Sequence, residues 1–232
     1  MQPYALSLLV EDDTGKLIYR IGCKMPHLSH QKTLIVPPDT SSTADLVAVM
    51  AICWAPNGEK LAVCTVDRVV LLFDENGIKR DKFPTKAMEK GFKDYFVKQM
   101  AFSPSSDKLA VAQTDNSVFV YKIGLGWGEK KSICNKFQHN SPTLCLAWPS
   151  QSPHEIVYGL YEGSVRIGNI KTHKGRELYK GGLWVYAIAV NPGTYFFILL
   201  CVFPFYFYFL IIHVSSHIAI YSPTSNAHTH SR

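Results

Sequence analysis

Polar and apolar residues in this chain alternate in short blocks. Met50–Trp54 is apolar, Pro56–Glu59 is a turn cluster, and Leu61–Thr65 is apolar again. Asp67 and Arg68 form a polar pair, and Val69–Phe73 is a β-branched and aromatic run closed by Asp74. Apolar runs of about five residues, divided by Pro, Asn, Gly and Asp, predict strands of an antiparallel meander. An amphipathic helix needs about ten uninterrupted residues, which these blocks do not supply.

The block recurs along the chain. In Met100–Lys122, Phe102 falls where Trp54 stands, Pro104 on Pro56, Leu109 on Leu61, Val111 on Val63, Asp115 on Asp67, Val118 on Val70 and Tyr121 on Phe73. A weaker copy, Leu144–Asn169, has Trp148 in the aromatic place, Glu162 in the turn-acid place, and Val165 and Ile167 in the third strand. A fourth copy begins at Trp184–Val190 and is cut short. The period of roughly 42–48 residues suits a four-stranded propeller blade with loop insertions. The expected fold is all-β: a partial β-propeller of three complete blades and part of a fourth, followed by an apolar C-terminal tail.

One blade cannot bury both of its faces, so it must stack on its neighbours. Strands covered on both faces then read as nearly continuous apolar runs. Trp54, Phe102, Trp148, Phe73 and Tyr121 are the expected blade-core aromatics, each burial contributing about 1.5–3 kcal/mol. Asp67, Asp115 and Glu162 are expected to hold the turns by accepting backbone N–H bonds. Glu162 is the longest fit, with Gly163 beside it to relax the turn.

The blades are expected at Val47–Phe83, Val97–Phe137 and Thr143–Tyr179, within a repeat region of residues 32–193. Lys32–Val36, ended by Pro37 and Pro38, reads as a strand that closes a propeller ring. Residues 1–31 read as an extension outside the repeat, with a hairpin around Asp12–Gly15. Residues 194–232 change character. Tyr195–Ile212 carries no charge, and its 18 residues are just enough to cross a bilayer as a helix. Three readings stand for it: a transmembrane helix, a buried segment, or translated non-coding sequence at the edge of a gene model. The third rests on the interrupted blade, the Phe/Tyr-rich composition with Pro204 mid-span, and the Ser/His/Thr/Asn run that follows.

Net charge is +6 and the pI about 8.9. The lysines cluster between strand runs, at Lys79–Lys98 and at Lys130 and Lys131. This is solvated loop charge, not the dense stripe with interleaved aromatics that a nucleic-acid face needs. Of the six cysteines, Cys53, Cys64 and Cys145 lie inside strand runs as small core residues. Nothing resembles a secreted disulfide framework or a signal peptide, which points to a reducing compartment.

Candidate chemistry is thin. Gly124–Ser132 (GLGWGEKKS) invites a phosphate-loop reading but lacks the Gly-Lys-Ser/Thr ending and a following helix. It reads better as a glycine-rich hairpin between the third and fourth strands of a blade. Cys23, His27 and His30 have metal-like spacing without a fourth ligand. No catalytic, cofactor or metal residue set is assigned, and no small-molecule substrate is expected.

Seven stretches carry a resemblance: Leu61–Asp74, Gly77–Phe83, Met100–Pro104, Gln113–Asn116, Val120–Gly124, Trp127–Lys131 and Ile133–Phe137. Together they resemble the WD-repeat propellers of the intraflagellar transport family, over about Lys32–Pro192. The resemblance implies a non-enzymatic scaffold of complex B in anterograde transport and cilium assembly. It also implies docking to other subunits of that complex, and a place at the cilium, the ciliary base and the cytoplasm. Two departures stand against it. The Trp-Asp dipeptide of the family is degenerate, reading Phe73-Asp74, Tyr121-Lys122 and Gly168-Asn169. The family also continues through further blades, a second propeller and a helical solenoid. The rival expectation is a membrane-anchored protein with a β-rich cytosolic interaction head.

Overall fold

In a computed structural model of the chain, residues 47–89, 94–190, 196–203, 206–213 and 218–221 are described, the last three stretches by their backbone alone. All lie in one compact unit, Leu34–Arg232. The expected strand Lys32–Val36, the N-terminal hairpin and the Cys23/His27/His30 group lie outside the described residues.

Four antiparallel sheets of four strands follow one another. The first holds β1 (Val49–Trp54), β2 (Leu61–Thr65), β3 (Val69–Phe73) and β4 (Lys79–Pro84), hydrogen-bonded in that order. The second holds β5 (Val97–Phe102), β6 (Lys108–Gln113), β7 (Ser117–Lys122) and β8 (Ser132–Gln138). The third holds β9 (Thr143–Ala147), β10 (Glu155–Leu160), β11 (Ser164–Asn169) and β12 (Lys174–Lys180). The registers are equivalent: Trp54 opposes Leu61 as Phe102 opposes Leu109, and Leu61 opposes Phe73 as Leu109 opposes Tyr121. The first strands form an inner row, β1 beside β5, β5 beside β9, and β9 beside β13 (Trp184–Val190). This is the blade arrangement of a propeller, and the all-β partial propeller is borne out.

The sheets stack through a size alternation on their second strands. In β6, Leu109 and Val111 face the first sheet and pack with Ala62, Cys64, Leu72 and Phe83. Ala110 and Ala112 face the other way and receive Leu146, Ile156, Tyr158 and Leu160 of the third sheet. The large face of one sheet thus meets the small face of the sheet before it, which keeps the interface filled without overpacking. The third sheet continues the pattern, with Val157, Val165 and Ile167 closing on Val185 of β13.

The same logic accounts for the degenerate dipeptide. Phe83 of β4 packs on the Tyr121 ring, centroids 5.1 Å apart. One sheet later Phe137 of β8 meets Gly168, where a Cβ would stand 2.8 Å from the Phe137 ring. An aromatic residue at position 168 has no room because the neighbouring blade already fills it.

The expected core aromatics divide by position. Phe73, Phe102 and Tyr121 are buried. Trp148 is half-buried against the interface of the second and third sheets, its indole N–H donating to Pro153 O at 3.3 Å. Trp54 corrects the expectation: it is 54% exposed, and Ile52 two residues earlier is 64% exposed. Its register matches Phe102, but Phe102 points at the first sheet, whereas among the described residues no sheet stands in front of Trp54 and Ile52.

The tail is a second correction. Tyr195–Ile212 was open to reading as a membrane-spanning helix. The backbone instead forms β14 (Phe196–Phe203) and β15 (Tyr206–His213), paired antiparallel from Phe196 with His213 to Phe203 with Tyr206. A further strand, β16 (Ile218–Tyr221), pairs with β15. Because β14 pairs with β13, a fourth four-stranded sheet is built from both sides of Gly193, where β13 alone was expected. Phe, Tyr, Ile and Val favour extended backbone, and a helix interior disfavours the Pro204 that separates the two strands in sequence. Among the described residues no helix is long and apolar enough to cross a membrane.

The stacking makes a measurable difference between two leucine-sized positions. Leu109→Ala, at a fully buried site between two sheets, should lower unfolding stability by roughly 2–5 kcal/mol. Ile52→Ser should change it by about 0.5 kcal/mol or less. Urea titration of the two variants, followed by tryptophan fluorescence, reads the difference.

Candidate docking surface

The antiparallel order sends two kinds of connection to the same end of the stack. The turns between second and third strands lie there, as do the crossings from one sheet to the next. Backbone bonds tie the two together: Thr85 N–H to Arg68 O at 2.8 Å, Thr114 N–H to Phe96 O at 3.0 Å, His139 N–H to Asn116 O at 2.9 Å, and Tyr161 N–H to Pro142 O at 2.9 Å. This end carries all three expected turn acids.

Of the three, only Asp115 accepts a backbone N–H among the described residues. Asp115 takes the Ser117 hydroxyl on Oδ1, and on Oδ2 the Met88 N–H at 2.8 Å and the Gln113 amide at 3.2 Å. Glu162 takes the Ser164 hydroxyl at 2.9 Å, and its own N–H donates to Ser141 Oγ at 3.0 Å. The shared contact is therefore a hydroxyl two residues on, not the turn's own backbone. Asp67 shows why: the residue two on is Val69, with no hydroxyl, and Asp67 is exposed without a partner among the described residues. Its turn is closed instead by Arg68 N–H on Thr65 O at 2.9 Å, with Arg68 at φ 66°.

Asp74, at the opposite end of the first blade, collects two backbone N–H bonds. Its Oδ1 accepts Asn76 N–H at 3.0 Å and Ile78 N–H at 2.8 Å, and Oδ2 accepts Arg80 Nε at 2.7 Å. The Ile78 bond first, then Arg80 and Asn76, hold its carboxyl below the usual range against the opposing effect of burial. Asn169 repeats the device in the third blade, taking Lys171 and Thr172 N–H at 3.0 Å each. The signal was present in the sequence, since both residues stand at the end of the third strand at the same repeat position.

Gly124–Ser132 forms the β7–β8 connection and reaches back to the first blade. Lys60 Nζ donates to Leu125 O and lies 4.5 Å from the Trp127 ring centroid, while Lys131 pairs with Asp81. The loop is an inter-blade clamp rather than a phosphate cradle. Cys53 and Cys64 are free thiols that burial pushes up to about 12, so neither is poised as a nucleophile. Among the described residues no His/Cys/Asp/Glu group could hold a metal.

At the connection end, a cavity of about 300 Å³ is lined by Met88, Glu89, Thr114, Asp115, Asn116 and Gln138. The next residue, His139, sits 4.7 Å from the Tyr158 ring, and its Nε2 is buried without a protein partner. Burial, and then the Arg166 charge, push it down to about 4.

The comparisons agree with this architecture. The WD domain, G-beta repeat family matches residues 40–74. The intraflagellar transport protein 172 homolog of Homo sapiens is 50% identical over 167 residues, 71% of this chain and 9% of that protein. Intraflagellar transport protein 172 of Chlamydomonas reinhardtii is 43% identical over 167 residues, 70% of this chain and 9% of that protein. Intraflagellar transport protein osm-1 of Caenorhabditis elegans is 43% identical over 143 residues, 61% of this chain and 8% of that protein. The chain thus spans 9% of the length of the first two relatives. By sheet order and repeat it is a WD-repeat propeller protein. Within that class it is a homologue of intraflagellar transport protein 172.

Two titrations follow from these sites. Asp74 is depressed in the fold, so its contribution is present above the unfolded carboxylate value near 3.9 and is lost as pH falls through the folded one. The melting-temperature gap between the unmodified chain and Asp74→Ala should be widest at neutral pH and close progressively below about pH 4. His139 is likewise lower in the fold than unfolded, and the unfolded chain binds the extra proton. Stability should therefore fall by up to roughly 3 kcal/mol between about pH 6.5 and 4. Urea titrations of His139→Gln over that range should lack this component.

Proposed function

We propose that the chain is a docking segment in intraflagellar transport. The observation that carries this is its 50% identity to the human relative, over 167 residues. The reading is of a non-enzymatic scaffold element of complex B, acting in anterograde transport and cilium assembly, located at the cilium, ciliary base and cytoplasm. The fold supports it physically. A sheet covered on both faces, as the second is, holds its end loops rigidly, and rigid loops present side chains to partners at low entropic cost. The buried thiols and the satisfied Asp74 and Asp115 leave no activated nucleophile or base among them. Other subunits of the transport complex are the partners on this reading, with no cofactor and no nucleic acid.

An affinity-tagged copy of the chain expressed in ciliated cells tests this. Transport-complex subunits should be enriched with it by quantitative mass spectrometry, and its fluorescence should concentrate at the ciliary base and along the cilium. A folded chain that captures none of them and stays diffuse would remove the reading.

A further inference from the structure

Three large aromatic residues at the connection end of the third and fourth sheets remain in water. Tyr161, Trp184 and Tyr186 are 44%, 37% and 46% exposed. Tyr161 and Trp184 stack with centroids 4.8 Å apart and planes at 23°, and Tyr186 meets Trp184 edge-on at 6.0 Å and 64°. The ledge is fixed from beneath. Gly181 N–H donates to Gly163 O at 3.0 Å, and Val185, between Trp184 and Tyr186, is completely buried. At Gly163, φ is 89° and a Cβ would lie 2.6 Å from the Gly181 and Leu183 carbonyl oxygens, so the turn and the crossing are in close backbone contact.

Beside Tyr161 stands Glu162, exposed, with Oε1 holding Ser164. The nearby Arg166 is turned toward Glu177, at 3.9 Å. The surface therefore offers aromatic faces and a carboxylate together. We propose that this ledge receives an arginine side chain from an extended segment of a partner protein, its guanidinium lying on the ring faces and paired with Glu162. Ring faces carry negative potential and attract a cation within about 6 Å of the centroid, and the flat guanidinium also stacks. The chain already uses this contact internally, with Lys60 over Trp127. The close stacking of Tyr161 on Trp184 leaves no slot between them for a proline ring, which favours a cation over a proline-rich segment. The proposal rests on the docking reading and names the chemistry of the partner.

The test is a titration of the 232-residue chain, labelled at its tryptophan indole nitrogens, with a capped Gly-Arg-Gly peptide. The Trp184 signal, assigned by its loss in Trp184→Phe, should move saturably while those of Trp54, Trp127 and Trp148 stay. Replacing the arginine by citrulline, similar in shape but uncharged, should weaken binding about tenfold, and Glu162→Gln about threefold without altering the rest of the spectrum. Equal response to the citrulline peptide, equal response to a proline-rich neutral peptide, equal movement of the other indoles, or no movement would each overturn the proposal. If transport subunits are still captured from cells when the titration fails, the ledge is wrong and the docking reading stands. If neither occurs, both fall.

Discussion

Face-to-face packing between successive sheets is the constraint on which everything else depends. The second sheet has no private core. Leu109 and Val111 are buried because the first sheet exists, and Ala110 and Ala112 because the third does. A large row against a small row brings backbones near enough for dispersion and water exclusion to act across the whole face. The small residues are thus as necessary as the large ones. Phe137 against Gly168 shows the arrangement at a single position, where one blade's aromatic occupies the space that the next blade's repeat residue would otherwise take.

Many of the polar contacts gather at the two ends of that stacking. At one end, Asp74 and Asn169 close hairpins by gathering backbone N–H groups, and the Gly124–Ser132 loop clamps the first blade through Lys60 and Lys131. At the other, Asp115 and Glu162 hold serine hydroxyls and tie the turns to the inter-sheet crossings. A packed middle with two hydrogen-bonded rims fixes where the end loops stand. His139 is one buried polar group this plan leaves without a protein partner at Nε2, beside the Tyr158 ring.

Much of this was legible in residue order. The short apolar blocks, the turn clusters and the spacing of Trp54, Phe102 and Trp148 marked strands, meanders and blades to within a residue or two, because strand length, turn chemistry and repeat period are local properties. The rims were less legible. Asp67, Asp115 and Glu162 occupy one repeat position, yet only two bond as a pair with a serine, since the outcome depends on whether residue 69, 117 or 164 carries a hydroxyl. Trp54 and Phe102 share a register and differ in burial, since burial is set by the neighbouring sheet rather than by the residue.

By itself the sequence determined the strands, their order within each blade and the apolar character of their faces, all consequences of periodicity over a few residues. Only the tertiary structure decided which face of β6 meets which neighbour, that the apolar tail pairs with β13 as strands, and that Tyr161, Trp184 and Tyr186 converge on one ledge. Those outcomes depend on contacts between residues tens of positions apart. A hydrophobic pattern says that a side chain must be covered, and leaves open what covers it.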